Sequence, residues 1–458
     1  MKPIRILCAI VCFALMLCLF ESIAEGDRYE ALCTYEDFTY TDAKVDGKNV
    51  FVVTNNRAKA GLITDDGQLR AWLECSLIHY ESNGFFSVIS LINGANNRSL
   101  LSAGGEMLTG SQYADFEAIS ESWVAAIKIS KTESDTYDYR NIVGAGKYII
   151  TAVDIYHFEP GSSNGGYIGT LTRSQYYQAK AVSKDYLLVE ERDGNLQLYN
   201  AMLEPIDSNF DSRNNCVLFR TVTESDICVV SRINGEVIAS GIIEIEPVYG
   251  TDDRYWVSRE FVRHYGYDPI FALMDADGNM LTDFSYIEKK GNRNGYCVVA
   301  NRQKRGLMRL SDGGFAITCR YDDILLNANY KGYIYDGYIA VVIDGKIGYI
   351  DIGDHETCPA LYPQDEYTVL GCTMYTIDPD DGSYTIVSAD GVVTNIPYSI
   401  EPDACSDDGY FIIVHDESGK SALIDWHGEI VFPFTDSRMR VYGNDCIIVD
   451  KTLYRLIR

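Results

Sequence analysis

The sequence has few of the residues from which metal and phosphate sites are built. Its six histidines are scattered, none lies three or four positions from another, and no two cysteines share a C-x-x-C spacing. Zinc hydrolases and zinc-binding modules depend on such spacings. There is no G-x-S-x-G elbow, and residues 144–147 (GAGK) lack the spacing of a phosphate loop and precede a strand-like segment, KYIITAV. The sequence therefore predicts no catalytic, metal-binding or cofactor-binding residues.

Basic residues are also in the minority. Lysine and arginine number 39 against 66 acidic residues, which gives a net charge of −27 at pH 7. Nucleic-acid binding requires neutralisation of phosphates by Lys and Arg, so this balance argues against it and against anionic membrane surfaces. The charge favours solubility and cationic or basic partners. The acidic residues are spread among turns, as expected of a solvated acidic surface.

Apolar runs are short everywhere except at the N-terminus. Residues 1–5 carry Lys2 and Arg5, residues 6–20 form an apolar run of fifteen, and Ser22-Ile23-Ala24 follows. This pattern predicts a signal peptide over residues 1–24, cleaved after Ala24, and so a secreted or cell-surface protein. An uncleaved anchor is the alternative, although a membrane-spanning helix needs about 20 residues. A lipoprotein modified at Cys18 is another, although Leu17 is larger than the usual preceding residue.

A recurring phrase is the strongest positive signal. It reads DGKIGYID at 344–351, SGKSALIDWHG at 418–428 and RAKAGLITDDG at 57–67. When the small residue before the apolar run sets the register, clear copies fall at Gly61, Ala272, Gly306, Gly348 and Ala422, and weaker copies at Ser99, Gln197, Val229 and Thr385. Several neighbouring copies are 34 to 42 residues apart, and the interval of 98 between Ser99 and Gln197 leaves room for one more. Such periods indicate an array of stacked units.

Each unit has the pattern of short antiparallel strands. Apolar runs rich in Val, Ile, Tyr and Phe, such as YIAVVI at 338–343, alternate with Asp-Gly or Asn-Gly pairs such as Asp46-Gly47 and Asp344-Gly345. Those pairs supply the positive φ angles that tight hairpins require. We expect two to four strands per unit and no long helix. Residues 112–120 alone are compatible with a turn or two of helix.

The phrase, together with Tyr321-Asp322-Asp323-Ile324, resembles the WG-repeat (KWG-repeat) family, in which a Gly-Lys-Trp-Gly-Tyr-Ile-Asp core recurs. Ile347 stands at the position of the family's Trp, as do Ala60, Arg305 and Ser421 in other units. The resemblance covers most of residues 45–455 and is strongest in the second half. It implies a bacterial repeat protein that offers an interaction surface, and it implies no catalytic residues.

Cysteines permit two interpretations. Ten of the thirteen follow the leader, and five of these lie in or beside apolar strand runs: Cys216, Cys228, Cys297, Cys319 and Cys446. These five are expected to be small buried hydrophobes, as free cysteines often are. Cys358 and Cys372 flank a proline-containing loop and are the best candidates for a disulfide in a secreted protein.

Two surface features are candidates for ligand binding. Residues 275–279 (DADGN) and 378–382 (DPDDG) concentrate oxygen ligands suited to calcium, but they lack an EF-hand pattern, and Asp-Gly turns are expected there anyway. Among 34 tyrosines, pairs recur at Tyr137/Tyr139, Tyr176/Tyr177 and Tyr265/Tyr267. The densest group is Tyr330, Tyr333, Tyr335 and Tyr338, where alternation suggests two rings side by side on a sugar- or peptide-binding face. Cross-strand packing is the simpler interpretation.

The sequence therefore predicts an all-β repeat protein of short antiparallel strands and hairpins over residues 25–458. A β-propeller is expected, with an open β-hairpin solenoid as the alternative. About ten units are expected, some of them paired within a blade. The predicted function is a non-catalytic interaction protein with a protein or glycan partner. A carboxylate-based hydrolase and a structural spacer are the alternatives. The mature chain is expected to have no membrane span, and its oligomeric state is left open.

Overall fold

The computed structural model describes most of the chain after the leader. The described residues are 28–55, 59–73, 76–90, 97–131, 148–160, 162–207, 216–222, 227–251, 253–263, 266–326 and 332–458. The signal-peptide prediction for residues 1–24 lies outside them. So do Cys75, the Gly-Ala-Gly-Lys segment, and the tyrosines at 137, 139, 265 and 330.

Forty-one β-strands account for the regular structure of the described residues, with one 3-10 turn at Arg173–Gln175. The strands of the first half are β1 Tyr29–Thr34, β2 Asp37–Val45, β3 Lys48–Thr54, β4 Ala60–Thr64, β5 Leu69–Leu73, β6 Ser76–Ser82, β7 Phe85–Ser90, β8 Asn97–Ser102, β9 Asp115–Ala118, β10 Trp123–Lys131, β11 Tyr148–Phe158, β12 Gly165–Thr172, β13 Gln178–Ser183, β14 Tyr186–Glu190, β15 Leu196–Asn200, β16 Pro205–Ile206, β17 Phe219–Val222, β18 Cys228–Ser231, β19 Val237–Ser240, β20 Glu244–Pro247, β21 Arg254–Arg263 and β22 Gly266–Asp275.

The second half continues in the same manner. Its strands are β23 Glu288–Arg293, β24 Tyr296–Asn301, β25 Lys304–Arg309, β26 Phe315–Tyr321, β27 Asp323–Ile324, β28 Tyr338–Ile343, β29 Lys346–Asp351, β30 Glu356–Pro363, β31 Thr368–Val369, β32 Thr373–Ile377, β33 Tyr384–Ser388, β34 Val393–Ile396, β35 Ser399–Cys405, β36 Phe411–His415, β37 Ser421–Asp425, β38 Ile430–Thr435, β39 Met439–Tyr442, β40 Cys446–Val449 and β41 Thr452–Leu456. No helix in the described part of the chain is long and apolar enough to cross a membrane.

The strands form eleven antiparallel sheets of three or four strands, taken in chain order. They are sheet 1 (β2–β5), sheet 2 (β6–β8), sheet 3 (β9–β12), sheet 4 (β13–β16), sheet 5 (β17–β19), sheet 6 (β20–β22), sheet 7 (β23–β26), sheet 8 (β27–β30), sheet 9 (β31–β34), sheet 10 (β35–β38) and sheet 11 (β39–β41 with β1). First strands of several neighbouring sheets lie side by side, as β2 does with β6 and β6 with β9.

The ring of sheets is closed by pairing between the two ends of the chain. Strand β1 pairs antiparallel with β41, with Tyr29 opposite Leu456 and Thr34 opposite Thr452. Apolar clusters join each sheet to the next, and one of them packs Phe38 and Phe51 of sheet 1 against Leu453 of sheet 11. The fold is therefore a β-propeller of eleven blades. The propeller prediction is confirmed, the open solenoid is wrong, and each unit forms one blade instead of pairing within a blade.

The recurring phrase is the third strand of a blade together with its flanking turns. Gly348 lies opposite Val341, and Gly61, Gly306 and Ala422 each lie opposite a valine of the second strand in the same way. Val229 does not fit, because it lies in β18, the second strand of sheet 5. The long interval between Ser99 and Gln197 contains sheet 3, as expected. Residues 112–120 form no helix and instead contain β9.

The two glycines of the phrase have different roles. Asp344 and Gly345 have φ angles of 50° and 73° and form the hairpin turn. Gly348 is not a turn residue. A Cβ atom there would lie 2.7 Å from the backbone oxygen of Cys358 and 2.7 Å from the Ala360 nitrogen, because the fourth strand bulges over it. The small residue in the repeat therefore permits close approach of two strands.

Six of the nine cysteines within the described residues are buried, and the disulfide prediction is wrong. Cys358 and Cys372 are buried free thiols in one apolar cluster between sheets 8 and 9. Cys216, Cys297 and Cys446 are also buried, whereas Cys228 and Cys319 are half-buried. Burial raises the pKa of Cys358 to about 11 and that of Cys297 to about 12, which keeps both thiols protonated at neutral pH.

Tyr333 and Tyr335 of the tyrosine-rich group do not form a binding face. Tyr333 and Tyr335 are only 3% and 2% exposed, and they pack into two different clusters, on opposite sides of sheet 8. The Tyr333 hydroxyl donates to the Gly291 carbonyl at 2.9 Å. Alternation along the chain sends these rings into separate inter-blade cores, which overturns the expectation that they lie side by side.

Candidate functional site

Seven aspartates line a cleft at one end of the ring. Because blade strands are antiparallel, the turns between first and second strands and between third and fourth strands lie at this same end, which we call the turn end. A cleft of about 640 Å³ opens there. Its lining comes from sheets 1, 7, 8, 10 and 11, and we call it the acidic cleft. Its aspartates are Asp42, Asp65, Asp66, Asp336, Asp407, Asp408 and Asp445.

The cleft has a clear excess of negative charge. Seven aspartates face three basic lining residues, Lys44, Lys48 and Arg455, and a fourth cation, Arg458, pairs with three of the aspartates. Lys48 is already paired with Asp66, and Arg455 lies 3.9 Å from Glu30. Asp336 and Asp445 have side chains 49% and 56% exposed and so remain accessible to a ligand. The field of the cleft therefore attracts cations.

Asp65 and Asp66 lie in the turn between β4 and β5 and have opposite pKa shifts. Burial is the largest influence on Asp65 and raises its pKa, although its carboxylate accepts hydrogen bonds from the Asn49 amide at 2.9 Å and from Asn49 Nδ2 at 3.1 Å. Burial would also raise the pKa of Asp66, but hydrogen bonds from Lys48, Thr64 and the Gln68 amide outweigh it and lower the pKa to about 2.

Asp408 is the most deeply buried carboxylate of the cleft, with a side chain only 3% exposed. Its oxygen atoms accept hydrogen bonds from Ser406 Oγ at 2.6 Å and from the Tyr410 amide at 3.1 Å, and it forms an ion pair with Arg458. Burial raises the pKa of Asp408, and the attraction of Arg458 is the largest influence that opposes this shift. The carboxylate is thus held in place by sheets 10 and 11 together.

Arg458 is a cation shared by three aspartates of the cleft. Its Nη1 donates to Asp336 at 2.7 Å and its Nε to Asp445 at 2.9 Å, while Nη2 donates to Asp408. The guanidinium carbon lies 4.7 Å from the centre of the Tyr410 ring. Burial would lower the pKa of Arg458, but Asp408, Asp445 and Asp336 raise it, so the group stays charged.

An aromatic stack continues from this cation. Tyr410 stacks on Trp426 with ring centres 5.0 Å apart, and Trp426 stacks on His427 at 5.0 Å. Tyr338 contacts the same tryptophan at 5.7 Å. All four rings are half-buried. Beside Arg458 they provide apolar area together with a preference for cations, although none of the four lines the cleft itself.

The calcium-like turns use their carboxylates internally. Asp275 accepts hydrogen bonds from the backbone amides of Asp277 at 3.0 Å and of Asn279 at 2.8 Å. Asp378 and Asp381 cap their own turn in the same way, through the amides of Asp380 and Ser383. Within the described ranges there is no group of three or more His, Cys, Asp or Glu residues arranged to hold a metal.

A serine, a histidine and a glutamate form a hydrogen-bonded chain on sheet 10. Ser421 Oγ lies 3.1 Å from His415 Nδ1, and His415 Nε2 lies 3.0 Å from Glu401 Oε2. The order matches that of a nucleophile, a base and an orienting carboxylate. His415 and Glu401 are 32% and 51% exposed, and Ser421 lies directly opposite His415 on the neighbouring strand, as in an ordinary cross-strand ladder.

The residues that build the acidic cleft were not identified from the sequence. The signal was present, because Asp46-Gly47, Asp336-Gly337 and Asp408-Gly409 all precede the second strand of a blade. Pairs at that position lie at one end of a closed ring, whereas pairs before the third strand, such as Asp344-Gly345, lie at the other. The sequence showed the turns, but only closure of the ring brings them into one cleft.

Comparisons with known proteins locate no relative. No protein family and no curated protein matches the chain. Among solved structures, a eukaryotic initiation factor is 12% identical with a TM-score of 0.30, over 89% of this chain and 98% of that one. The WD40 domain of SCAP from fission yeast is 7% identical with a TM-score of 0.27, over 95% of both chains. BamB from Moraxella catarrhalis is 11% identical with a TM-score of 0.23, over 72% and 98%. The propeller assignment is drawn from strand pairing and closure alone.

Proposed function

We propose that this protein is a non-catalytic interaction protein, secreted or at the cell surface, that binds a basic segment of a protein partner in the acidic cleft. The observation that carries the proposal is the convergence of seven aspartates from several blades on one cleft at the turn end. Complementary charge steers association and selects partners. Secretion is supported by the leader pattern in residues 1–24.

A protein partner suits the cleft better than a glycan does. A neutral sugar gains nothing from the excess of negative charge, and two of the tyrosines that suggested a sugar-binding face, Tyr333 and Tyr335, are buried between blades. A spacer role is supported less well, since a closed ring does not lengthen as units are added. The exposed carboxylates of Asp336 and Asp445 instead offer charge-assisted hydrogen bonds to Lys or Arg side chains.

The proposal is tested by calorimetric titration of residues 25–458 with an Arg- and Lys-rich peptide and with a Glu-rich peptide of equal length. Only the basic peptide is expected to bind, and more weakly at 300 mM than at 50 mM NaCl. A triple variant, Asp42→Asn, Asp336→Asn and Asp445→Asn, is expected to weaken binding about tenfold, about 1.4 kcal/mol. The matched control changes three exposed aspartates outside the cleft, Asp193→Asn, Asp277→Asn and Asp381→Asn. Equal losses in the two triple variants would contradict the proposal.

A serine hydrolase, in place of the carboxylate-based hydrolase expected from the sequence, is the second candidate, favoured by the chain of Ser421, His415 and Glu401. A serine activated in this way reacts with a fluorophosphonate probe and turns over a simple ester. The test is mass spectrometry of the labelled protein, with Ser421→Ala and the exposed Ser418→Ala as a matched pair. The hydrolase would be favoured if the Ser421→Ala substitution removes the labelling and the Ser418→Ala substitution does not. If the wild-type protein is not labelled, the hydrogen bonds among Ser421, His415 and Glu401 are a structural feature of the surface and not a catalytic group.

A further inference from the structure

The site around Arg458 shows what kind of side chain the acidic cleft recognises. Each edge of the guanidinium faces a carboxylate: Nη1 with Asp336, Nε with Asp445 and Nη2 with Asp408. The three aspartates come from three blades, sheets 8, 10 and 11. One face of the same group lies on Tyr410 at 4.7 Å. A planar fork of donors fits this arrangement, and a lysine ammonium, which is a compact point charge, does not.

The same site is open to solvent. Arg458 is 26% exposed, and two of its three partners are about half exposed. Only Asp408 is buried, at the base of the site. Beside it, Trp426 and Tyr338 continue the aromatic surface from Tyr410, so a chain that brings an arginine into the site would also gain apolar contact.

We propose that this is a binding site for an arginine side chain of the partner, and that Arg458 is an internal occupant with which the partner's arginine competes. The inference rests on the proposed function and gives its ligand chemistry: the basic segment carries at least one arginine, read by Asp336, Asp408 and Asp445 together with Tyr410. An occupant tethered to the same chain has a high effective concentration, so the competing segment needs further contacts in the cleft.

The test uses N-acetylarginine amide as probe, with the lysine and citrulline analogues as controls, on wild-type protein and on Arg458→Ala. We expect the arginine probe to bind Arg458→Ala at least ten times more tightly than wild type and to raise its melting temperature. The two analogues should do neither. Asp408→Asn in the Arg458→Ala background should abolish binding, whereas the distant Asp193→Asn in the same background should leave it unchanged.

Arg458→Lys provides a second variant, because it keeps a positive charge beside Asp408 if Arg458→Ala does not fold. It should also bind the arginine probe more tightly than wild type. Two results would overturn the proposal: equal affinity for the arginine and citrulline probes, or no binding of the arginine probe to either variant. Arg458 would then serve only to form ion pairs that join neighbouring blades. If the arginine probe binds Arg458→Ala but the basic peptide does not bind the wild-type protein, the arginine site is retained and the proposed function is rejected. The reverse pattern would reject the arginine site alone.

Discussion

Gly348 has no side chain, and this allows the third and fourth strands of its blade to approach each other closely. A methyl group there would meet two backbone atoms of β30 at 2.7 Å, closer than real contacts allow. Gly348→Ala is therefore expected to destabilise the protein by about 1–3 kcal/mol, the usual cost of overpacking. Urea unfolding followed by tryptophan fluorescence measures it.

The control for this substitution is a strand glycine with free space. Gly166 in β12 has no atom within 4 Å of the position that a Cβ would take. Gly166→Ala is expected to leave the free energy of unfolding unchanged or slightly higher, because alanine loses less backbone entropy on folding. Equal destabilisation by the two substitutions would show that glycine at 348 is not required by the bulge.

Asp66 makes a pH-dependent contribution to stability. Its pKa is lowered to about 2 from an ordinary value of 3.8, so folding favours its ionised form. The contribution is fully present above about pH 4 and is lost as pH falls through the folded-state pKa. The stability difference between wild type and Asp66→Asn should therefore be constant from pH 7 to 5 and shrink between pH 4 and 2. Urea unfolding across this range checks it; a difference that persists unchanged to pH 2 would contradict the assignment.

Residue roles that depend on local geometry could be predicted, and those that depend on distant pairing could not. The turn role of Asp344-Gly345 follows from the sequence, since only neighbouring residues take part. The burial of Tyr333 and Tyr335 requires knowing that sheets 7 and 9 flank sheet 8. Cys358 and Cys372 share a cluster as expected of a bridge, but as thiols in an apolar core.

At the scale of the element, the pairing of β1 with β41 closes the ring. Thr34 Oγ1 lies 3.1 Å from Thr452 Oγ1, so cysteines at these two positions have suitable spacing for a disulfide. In a Cys33→Ser background, Thr34→Cys with Thr452→Cys should form that bond in air. By the chain-entropy account, closing so long a loop stabilises by about 6 kcal/mol. Thermal unfolding with and without dithiothreitol measures the gain.

The single variants, Thr34→Cys and Thr452→Cys alone, serve as controls and should respond to dithiothreitol no more than the parent does. Peptide mapping should find residues 34 and 452 in one cross-linked fragment. Absence of that fragment under oxidising conditions would show that the strands do not pair in this register.

The third strands were the easiest elements to predict, because each combines a turn, a small residue and an apolar run. Sheets 3 and 11 were harder to recognise. Sheet 3 has long second and third strands, β10 of 9 residues and β11 of 11, and sheet 11 takes its fourth strand from β1. Repeat detection relies on equal spacing, and both sheets depart from it. The acidic cleft could not be predicted for a related reason, since its residues come from sheets far apart in the sequence.

For the whole molecule, the net charge of −27 opposes the compact state through self-repulsion. Screening lengths fall to about 10 Å at 0.1 M salt. We therefore expect the melting temperature to rise as NaCl increases from 20 to 200 mM, while affinity for a basic peptide falls over the same range. Differential scanning calorimetry and titration on the same samples check this pair of trends. Choline chloride as an alternative salt should give the same melting trend; a response to sodium alone would indicate specific ion binding.

Closure by β1 also has a consequence for the order of folding. Ten of the eleven sheets draw their strands from one continuous stretch of chain, and sheet 11 needs strands more than 400 residues apart, with the Ile457 amide bonded to the Arg28 carbonyl at 2.8 Å. During synthesis β1 therefore emerges first and has no partner until β41 is made. An unpaired strand edge is prone to intermolecular pairing. The nascent chain thus carries an exposed edge for almost the whole of translation, and a chaperone that shields β1 would act before any blade is complete.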